Sequence, residues 1–290
     1  MKKKIVFIVN PISGGKSKTF IPSLIDRYLD HRQFDASIIF SERIGHAYLL
    51  AKEALENSAD VVTSVGGDGT INEVASATAL SGKIMGIIPC GSGNGLARTL
   101  KIPLNHIEAI KRINVGNTLA IDCGVLNGKK FFNMAGLGFD AHISALFAKD
   151  KSRGLKGYLK STFNEISTYK PENYLIEIDG KIVEQKAFML SIANSSQYGN
   201  NVHISPNALV ADGLLDVCLV KPFALYKFPN LGLRMLNKTI HNSRQITILK
   251  GQHIKIKREK SAWVHLDGEP FMMDSEICID VNPLCLNLIV

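Results

Sequence analysis

Cysteine is sparse and unpatterned. Cys90, Cys123, Cys218, Cys278 and Cys285 are scattered, odd in number and never spaced as CxxC. That excludes a disulfide framework and a cysteine-based zinc site, and it suits a reducing compartment. Long apolar runs are missing too: none approaches the roughly 18 residues that a membrane-crossing helix needs. Met1-Lys2-Lys3-Lys4 has the charge of a secretory leader, but the apolar run behind it ends at Asn10-Pro11, too short for a leader core. A cytoplasmic protein is expected, meeting any membrane only at its surface. Neither the GxxxxGK[ST] phosphate loop nor the GxGxxG dinucleotide fingerprint occurs. There is no internal repeat, no low-complexity linker, and no helix-turn-helix or aromatic-interleaved basic stretch, so nucleic acid is not an expected partner.

What is present describes a globular enzyme-sized chain. Of 290 residues, 46% are hydrophobic and 21% charged, enough to bury a core. Lys and Arg number 34 against 26 Asp and Glu, a balance of +8 that suits an anionic partner such as a nucleotide or an acidic lipid surface. The densest basic cluster, Lys149, Lys151, Arg153, Lys156 and Lys160, reads first as a solvated helix face.

Up to about residue 122, strand and helix patterns alternate. Ile5–Val9, Ser37–Phe40, Val61–Val65 and Ile84–Ile88 read as strands, and Thr19–Asp30, His46–Glu56, Thr70–Leu80 and a segment near Leu96 read as helices. This predicts an α/β nucleotide-binding domain with a parallel sheet over residues 1–122, ligands lying at the carboxyl ends of its strands. Residues 123–290 change character. A helical pattern from Phe139 to Ile166 gives way to short strand-like runs between Tyr174 and Val281, with Asp179-Gly180 as a hairpin turn. They predict a mainly antiparallel β-sandwich domain. With no linker between the domains, a ligand cleft where they meet is expected.

Three glycine-rich turns follow three of the apolar strands: Asn10-Pro11-Ile12-Ser13-Gly14-Gly15-Lys16, Gly66-Gly67-Asp68-Gly69-Thr70-Ile71-Asn72-Glu73, and Pro89-Cys90-Gly91-Ser92-Gly93-Asn94-Gly95. Glycine lets backbone amides close around phosphate, and a helix start just beyond adds its positive dipole end. One such turn is as readily structural as functional; three on one sheet edge argue for a phosphate cradle. Asp68 among those glycines would repel phosphate unless Mg²⁺ intervened, or else it caps the helix near Thr70. Asp267-Gly268-Glu269, behind the strand Ala262–Leu266, offers a carboxylate for phosphoryl transfer to an alcohol, or simply a turn. Asp212-Gly213 is again a turn by default, and a metal loop if its carbonyls converge.

Taken in order, Asn-Pro-x-Ser-Gly, Gly-Gly-Asp-Gly-Thr-x-Asn-Glu, Pro-x-Gly-Ser-Gly-Asn and Leu-Asp-Gly-Glu span Asn10 to Glu269, and the set resembles the diacylglycerol kinase catalytic-domain family, which includes sphingosine and ceramide kinases and bacterial lipid kinases. The resemblance implies an ATP- and Mg²⁺-dependent lipid kinase acting on a hydroxyl of diacylglycerol or a related lipid. It assigns ATP contacts to Asn10, Pro11, Ser13, Gly14, Ser41, Gly66, Gly67, Asp68, Gly69, Thr70, Asn72, Glu73, Ser92 and Glu269. It assigns the base to Asp267, with Glu269 and Asp68 beside it. Asp68 and Asp122 would organise Mg²⁺ through water, and Leu209, Asp212 and Leu214 would form a structural Mg²⁺ loop. The third turn departs from the Gly-Thr-x-Asn-Asp of many bacterial members: Gly91 to Gly95 read Gly-Ser-Gly-Asn-Gly, closer to the sphingosine-kinase branch. Apolar side chains in Phe139–Phe163 and the basic cluster beside them are the expected membrane contact, and a homodimer is compatible with the sequence. An NAD kinase, which shares Gly-Gly-Asp-Gly, and a non-catalytic nucleotide-binding regulator are the rival readings.

Overall fold

Short apolar runs flanked by turn formers become parallel strands in the first part of the chain. The computed structural model describes residues 2–15, 17–149 and 165–290 and divides the chain into two units, Met1–Asp122 with Pro283–Val290, and Cys123–Asn282. In the first unit, β1 (Lys3–Val9), β2 (Phe34–Phe40), β3 (Val61–Gly66) and β4 (Ile84–Pro89) lie parallel in the order β2-β1-β3-β4. All six residues of β3 are buried, as expected of a strand covered on both faces.

The helices follow local rules. α1 (Ile21–Tyr28) takes Pro22 in its first turn, where the missing N–H costs nothing. α2 (His46–Glu56), α3 (Asp68–Thr78) and the short α4 (Gly95–Thr99) each start just beyond a strand end. α5 (His106–Val115) is capped at one end by the Asn105 side chain, which accepts from Ile107 N and Glu108 N. It is closed at the other end by left-handed Gly116. Ile5, Phe7, Val9, Ile21, Ile25, Val65, Ile88 and Ile110 form the core between sheet and helices.

The second unit is an antiparallel sandwich. β5 (Thr118–Leu126) carries the chain into it and pairs with β6 (Lys129–Phe131). One sheet runs β12 (Ile246–Gly251), β11 (Leu215–Val220), β10 (Met189–Ala193), β7 (Met134–Gly138), β14 (Ala262–Leu266), β15 (Glu269–Met273). The other contains β9 (Lys181–Ala187), β8 (Glu172–Ile178), β13 (His253–Lys257) and the start of β16 (Glu276–Ile289). Alternation decides which side chains face inward. Ile254 and Ile256, Ile176 and Ile178, and Ile277 and Ile279 meet Leu190, Ile192, Val217, Leu219 and Val264 in one core, while Lys255 and Lys257 point out. Asp179 and Gly180, both at positive φ (47° and 81°), make the two-residue hairpin between β8 and β9. α6 (Phe139–Lys149) and α7 (Phe228–Leu236) pack on the six-stranded sheet's side through Phe139, Ile143 and Leu231.

By contact, the last residues group with the first unit: Asn287 and Leu288 of β16 pair in parallel with Ile84 and Met85 of β4, making Pro283–Val290 the fifth strand of the first unit's sheet. The helix expected over Phe139–Ile166 is described as α6 and as a helical stretch at 165–168, while the basic cluster from residue 150 onward and most of the expected membrane stretch lie outside the described residues. No helix among the described residues is long and apolar enough to cross a membrane.

Gly124 shows how tightly the second unit is packed. A Cβ there would lie 2.0 Å from Cζ of Phe131, a ring with no exposure. Gly124→Ala must displace the ring and should destabilise the protein by about 1–3 kcal/mol in urea unfolding, whereas an unchanged midpoint would mean that the ring moves aside freely.

Candidate functional site

Parallel pairing puts every strand's carboxyl end on one edge of the first sheet, so the loops that follow are neighbours. The ladder continues past the strands to hold them: Asn10 N donates to Val65 O (3.0 Å), Ser41 N to Val9 O (2.9 Å) and Cys90 N to Gly66 O (2.7 Å).

Side chains then tie the loops to one another. Asn10 Oδ1 accepts from Ile12 N (3.1 Å) and its Nδ2 donates to Thr70 Oγ1 (3.0 Å), linking the first turn to the second. Asp68 links the second to the third: Oδ2 accepts from Asn94 N and Oδ1 from Gly95 N, each at 2.8 Å. Asn94, itself left-handed (φ 53°), closes the third turn by accepting from Gly91 N (3.0 Å) and donating to Gly91 O (2.9 Å). The buried ammonium of Lys18 donates to Ser13 O (2.8 Å) and braces the first turn. Two glycines are required by this mutual contact. Gly14 has φ 62° and a Cβ on it would stand 2.4 Å from Cys90 O; a Cβ on Gly91 would stand 2.6 Å from Gly67 Cα. The glycines therefore let the loops approach each other as well as a ligand.

The other residues expected to touch ATP divide into groups. Glu73 is spent on the protein: its carboxylate accepts from Gly45 N (2.8 Å), Ala47 N (2.9 Å) and Tyr48 N (3.3 Å), capping α2 from α3. Asn72 Oδ1 accepts from Ser76 Oγ (3.4 Å), and Ser41 and Thr70 are buried. Gly14 and Ser92 are exposed, and Pro11, Gly67 and Gly69 partly so. α3 starts at Asp68 with Gly67 as its N-cap and no side-chain cap, so its positive end sits within the second turn. Burial pushes the Cys90 thiol up to about 11, which favours its protonated form. Asp122 is fully buried and accepts from Leu284 N (2.7 Å), where β16 kinks at a positive φ.

In the second unit, Asp267 and Gly268 are the two-residue loop of the β14–β15 hairpin, with φ of 49° and 91°. Asp267 is buried. Its Oδ1 accepts from Asn133 N and Met134 N and its Oδ2 from Phe132 N, all at 2.9 Å, so the carboxylate is fixed in position. Glu269 is exposed. The sequence reading missed what holds this turn. Gly268 N donates to His265 Nδ1 (3.4 Å), His265 Nε2 lies 3.4 Å from Asp140 Oδ2, and Ser144 Oγ donates to Gly268 O (2.6 Å). Ser191 and Tyr198 also donate to Asp140 Oδ2, at 2.9 and 3.1 Å. No motif marks these residues; only the fold brings them together.

Residues 4–126 match the family model of the diacylglycerol kinase catalytic domain, and residues 133–290 match that of the YegS C-terminal NAD kinase beta sandwich-like domain. The chain belongs to the diacylglycerol kinase family. It is 28% identical over 273 residues to a diacylglycerol kinase of Bacillus subtilis, covering 92% of this chain and 90% of that one. A diacylglycerol kinase of Staphylococcus epidermidis is 27% identical, with 93% and 86% covered. Among solved structures, one from Bacillus anthracis described as a diacylglycerol kinase superposes with a TM-score of 0.79 at 26% identity, over 99% of this chain and 96% of that one. An NAD kinase from Archaeoglobus fulgidus shares the fold alone, at a TM-score of 0.53 and 14% identity over 100% of this chain and 94% of that one.

The structural Mg²⁺ loop that the family suggests meets an obstacle in this chain. Asp212 Oδ1 accepts from Leu214 N (3.1 Å), and Lys250 Nζ from β12 lies 2.9 Å from Asp212 Oδ2 and 3.3 Å from Asp216 Oδ1. Asp216 is buried and also accepts from Ser205 Oγ. Gln252 Nε2 donates to Gly213 O (3.2 Å), and Leu209 is 61% exposed. Burial works against the charged Lys250, but the bonds and charges of Asp212 and Asp216 outweigh it and raise its pKa. An ammonium already stands between the two carboxylates, and a divalent ion held by the Asp212 side chain with main-chain oxygens of Leu209 and Leu214 would have to share Asp212 with it. Among the described residues no cluster of three or more His, Cys, Asp or Glu could hold a metal.

Three measurements check these assignments. Lys250→Met strands the buried Asp216, so it should lower stability by about 1–3 kcal/mol, below the range for fully buried pairs because Lys250 is partly solvated. Chelator should leave the wild-type melting temperature unchanged, and a fall on chelation would restore the metal. Asp68→Ala leaves the Asn94 and Gly95 amides without their acceptor and should cost about 2 kcal/mol while raising the KM for nucleotide. Unchanged stability would show that the turns stay together without it.

Proposed function

We propose that this kinase transfers the γ-phosphoryl group of MgATP to a hydroxyl of a membrane lipid, with diacylglycerol as the acceptor. One observation carries the reading: three glycine turns at the carboxyl edge of a parallel sheet, locked into one body through Asn10, Asp68 and Asn94, with the uncapped start of α3 among them. Such an edge suits a polyphosphate, because amides and a helix dipole held rigid stabilise charge without reorganising as it develops. The acceptor is inferred from kinship with proteins named diacylglycerol kinase.

Phosphoryl transfer through a loose transition state asks mainly for positioning and charge neutralisation. Asn10, Pro11, Ser13, Gly14 and the Gly66–Thr70 turn are assigned to the nucleotide, with Ser92 offering a hydroxyl from the third turn. Mg²⁺ enters with the nucleotide. Asp68 and Asp122 would act on it through water; both Asp68 oxygens and Asp122 Oδ1 each already accept one backbone amide. Asp267 is assigned the orientation of the acceptor hydroxyl. Three amides hold that carboxylate in place, and a loose transition state asks for position more than for base strength.

The test offers labelled ATP together with diacylglycerol, ceramide or sphingosine in mixed micelles, and NAD in parallel. Label should enter diacylglycerol. Label entering NAD alone would make this an NAD kinase, and no transfer to any acceptor would favour a nucleotide-binding regulator. Asp267→Asn sets an amide NH₂ against backbone N–H donors, so it should lower the melting temperature as well as turnover, the latter by about 10²–10⁴-fold. A folded variant retaining near-normal turnover would remove Asp267 from the chemistry.

A further inference from the structure

Between Val217 and Arg258 the sequence has six lysines and three arginines and not one Asp or Glu. The fold disposes of part of this charge. Lys250, Lys255 and Lys257 pair with Asp212 and Asp216, Glu177 and Glu276, and Arg258 is buried against the carbonyls of Ala262 and Met273. Lys221, Lys227, Arg234, Lys238 and Arg244 are left. Among the described residues none of these five forms an ion pair, and all fall in the segment around α7. Lys227, Asn230, Arg234, Asn242, Ser243 and Arg244 line a basin of about 350 Å³ with no acid in its wall.

The same segment exposes large apolar side chains. Leu231 is buried at 6%, anchoring α7 together with the partly buried Phe228 and Met235, whereas Leu233 and Leu236 on the helix's other side are 59% and 50% exposed. Just before the helix, Leu225 is 44% and Tyr226 79% exposed, with Lys227 Nζ 6.0 Å from the Tyr226 ring. Cationic chains around a polar basin, ringed by protruding leucines and a tyrosine, match one kind of partner: phosphate headgroups at a bilayer surface with acyl chains beneath. Nucleic acid would use the charge and leave Leu233 and Leu236 unexplained.

We infer that the Lys221–Arg244 segment is a docking surface for anionic phospholipid, the basin of Lys227, Arg234 and Arg244 receiving a phosphodiester headgroup while Leu225, Tyr226, Leu233 and Leu236 enter the interface. This deepens the proposed function, resting on its reading that the acceptor is a membrane lipid. It differs from the sequence-based expectation of contact through Phe139–Phe163.

Flotation of the full chain with phosphatidylcholine vesicles, with and without phosphatidylglycerol, tests it. Wild type should float only with the anionic vesicles, and less at high salt. Each basic residue near such a surface contributes about fivefold to partitioning, so Lys227→Gln with Arg244→Gln should weaken binding by about 25-fold. Leu233→Ser with Leu236→Ser should weaken it too. Both pairs lie outside the nucleotide and acceptor residues and should leave turnover in detergent micelles unchanged. Variants that float like wild type, equal binding to neutral vesicles, or tighter binding to duplex DNA would each overturn the inference. Flotation needs no turnover, so vesicle binding without lipid phosphorylation upholds this surface while removing the proposed acceptor. Micelle turnover without vesicle binding does the reverse.

Discussion

The candidate nucleotide edge depends on one carboxylate held between two backbone amides. Asp68 takes the N–H groups of Asn94 and Gly95, and in doing so binds the second glycine turn to the third. Glycine-rich loops are entropically costly to hold still, and without a tie each would sample many conformations. The tie has a cost in function as well: amides given to Asp68 are not offered to phosphate. What remains for a ligand is the rest of the three turns and the first turn of α3, now fixed in place.

The same economy recurs elsewhere. Glu73 caps α2, Asn94 closes its own turn, and Lys250 joins Asp212 to Asp216. In each case a polar group in or beside a glycine turn or the expected metal loop is bonded to the protein. Substitutions at such positions couple stability to activity, so a loss of turnover alone does not identify a ligand contact.

How much was legible follows from range of interaction. The parallel sheet could be read because strands covered on both faces are nearly continuous apolar runs, and the Asp179-Gly180 and Asp267-Gly268 turns because only a few residues accept positive φ twice in succession. The three turns were visible as glycine clusters. Their joining was not, since Asp68 and Asn94 are 26 residues apart and no local pattern encodes a bond between them. His265, Asp140 and Ser144 escaped notice for the same reason. α5 and β5 were not read from the sequence, although Asn105 and Gly116 mark the ends of α5 with ordinary capping residues. The acid-free stretch around α7 carries its charges more thinly along the chain than the cluster near Lys151, and only the fold gathers them into one surface.

Pro283–Val290 carries a consequence for biosynthesis. This segment completes the first unit's sheet beside β4, yet the whole of the second unit is translated before it. While the ribosome works through that intervening sequence, β4 has an open flank, and Ile84 and Met85 have backbone groups awaiting a partner. The nascent first unit is thus exposed to mispairing for most of its time in synthesis, and the sandwich must form without trapping it.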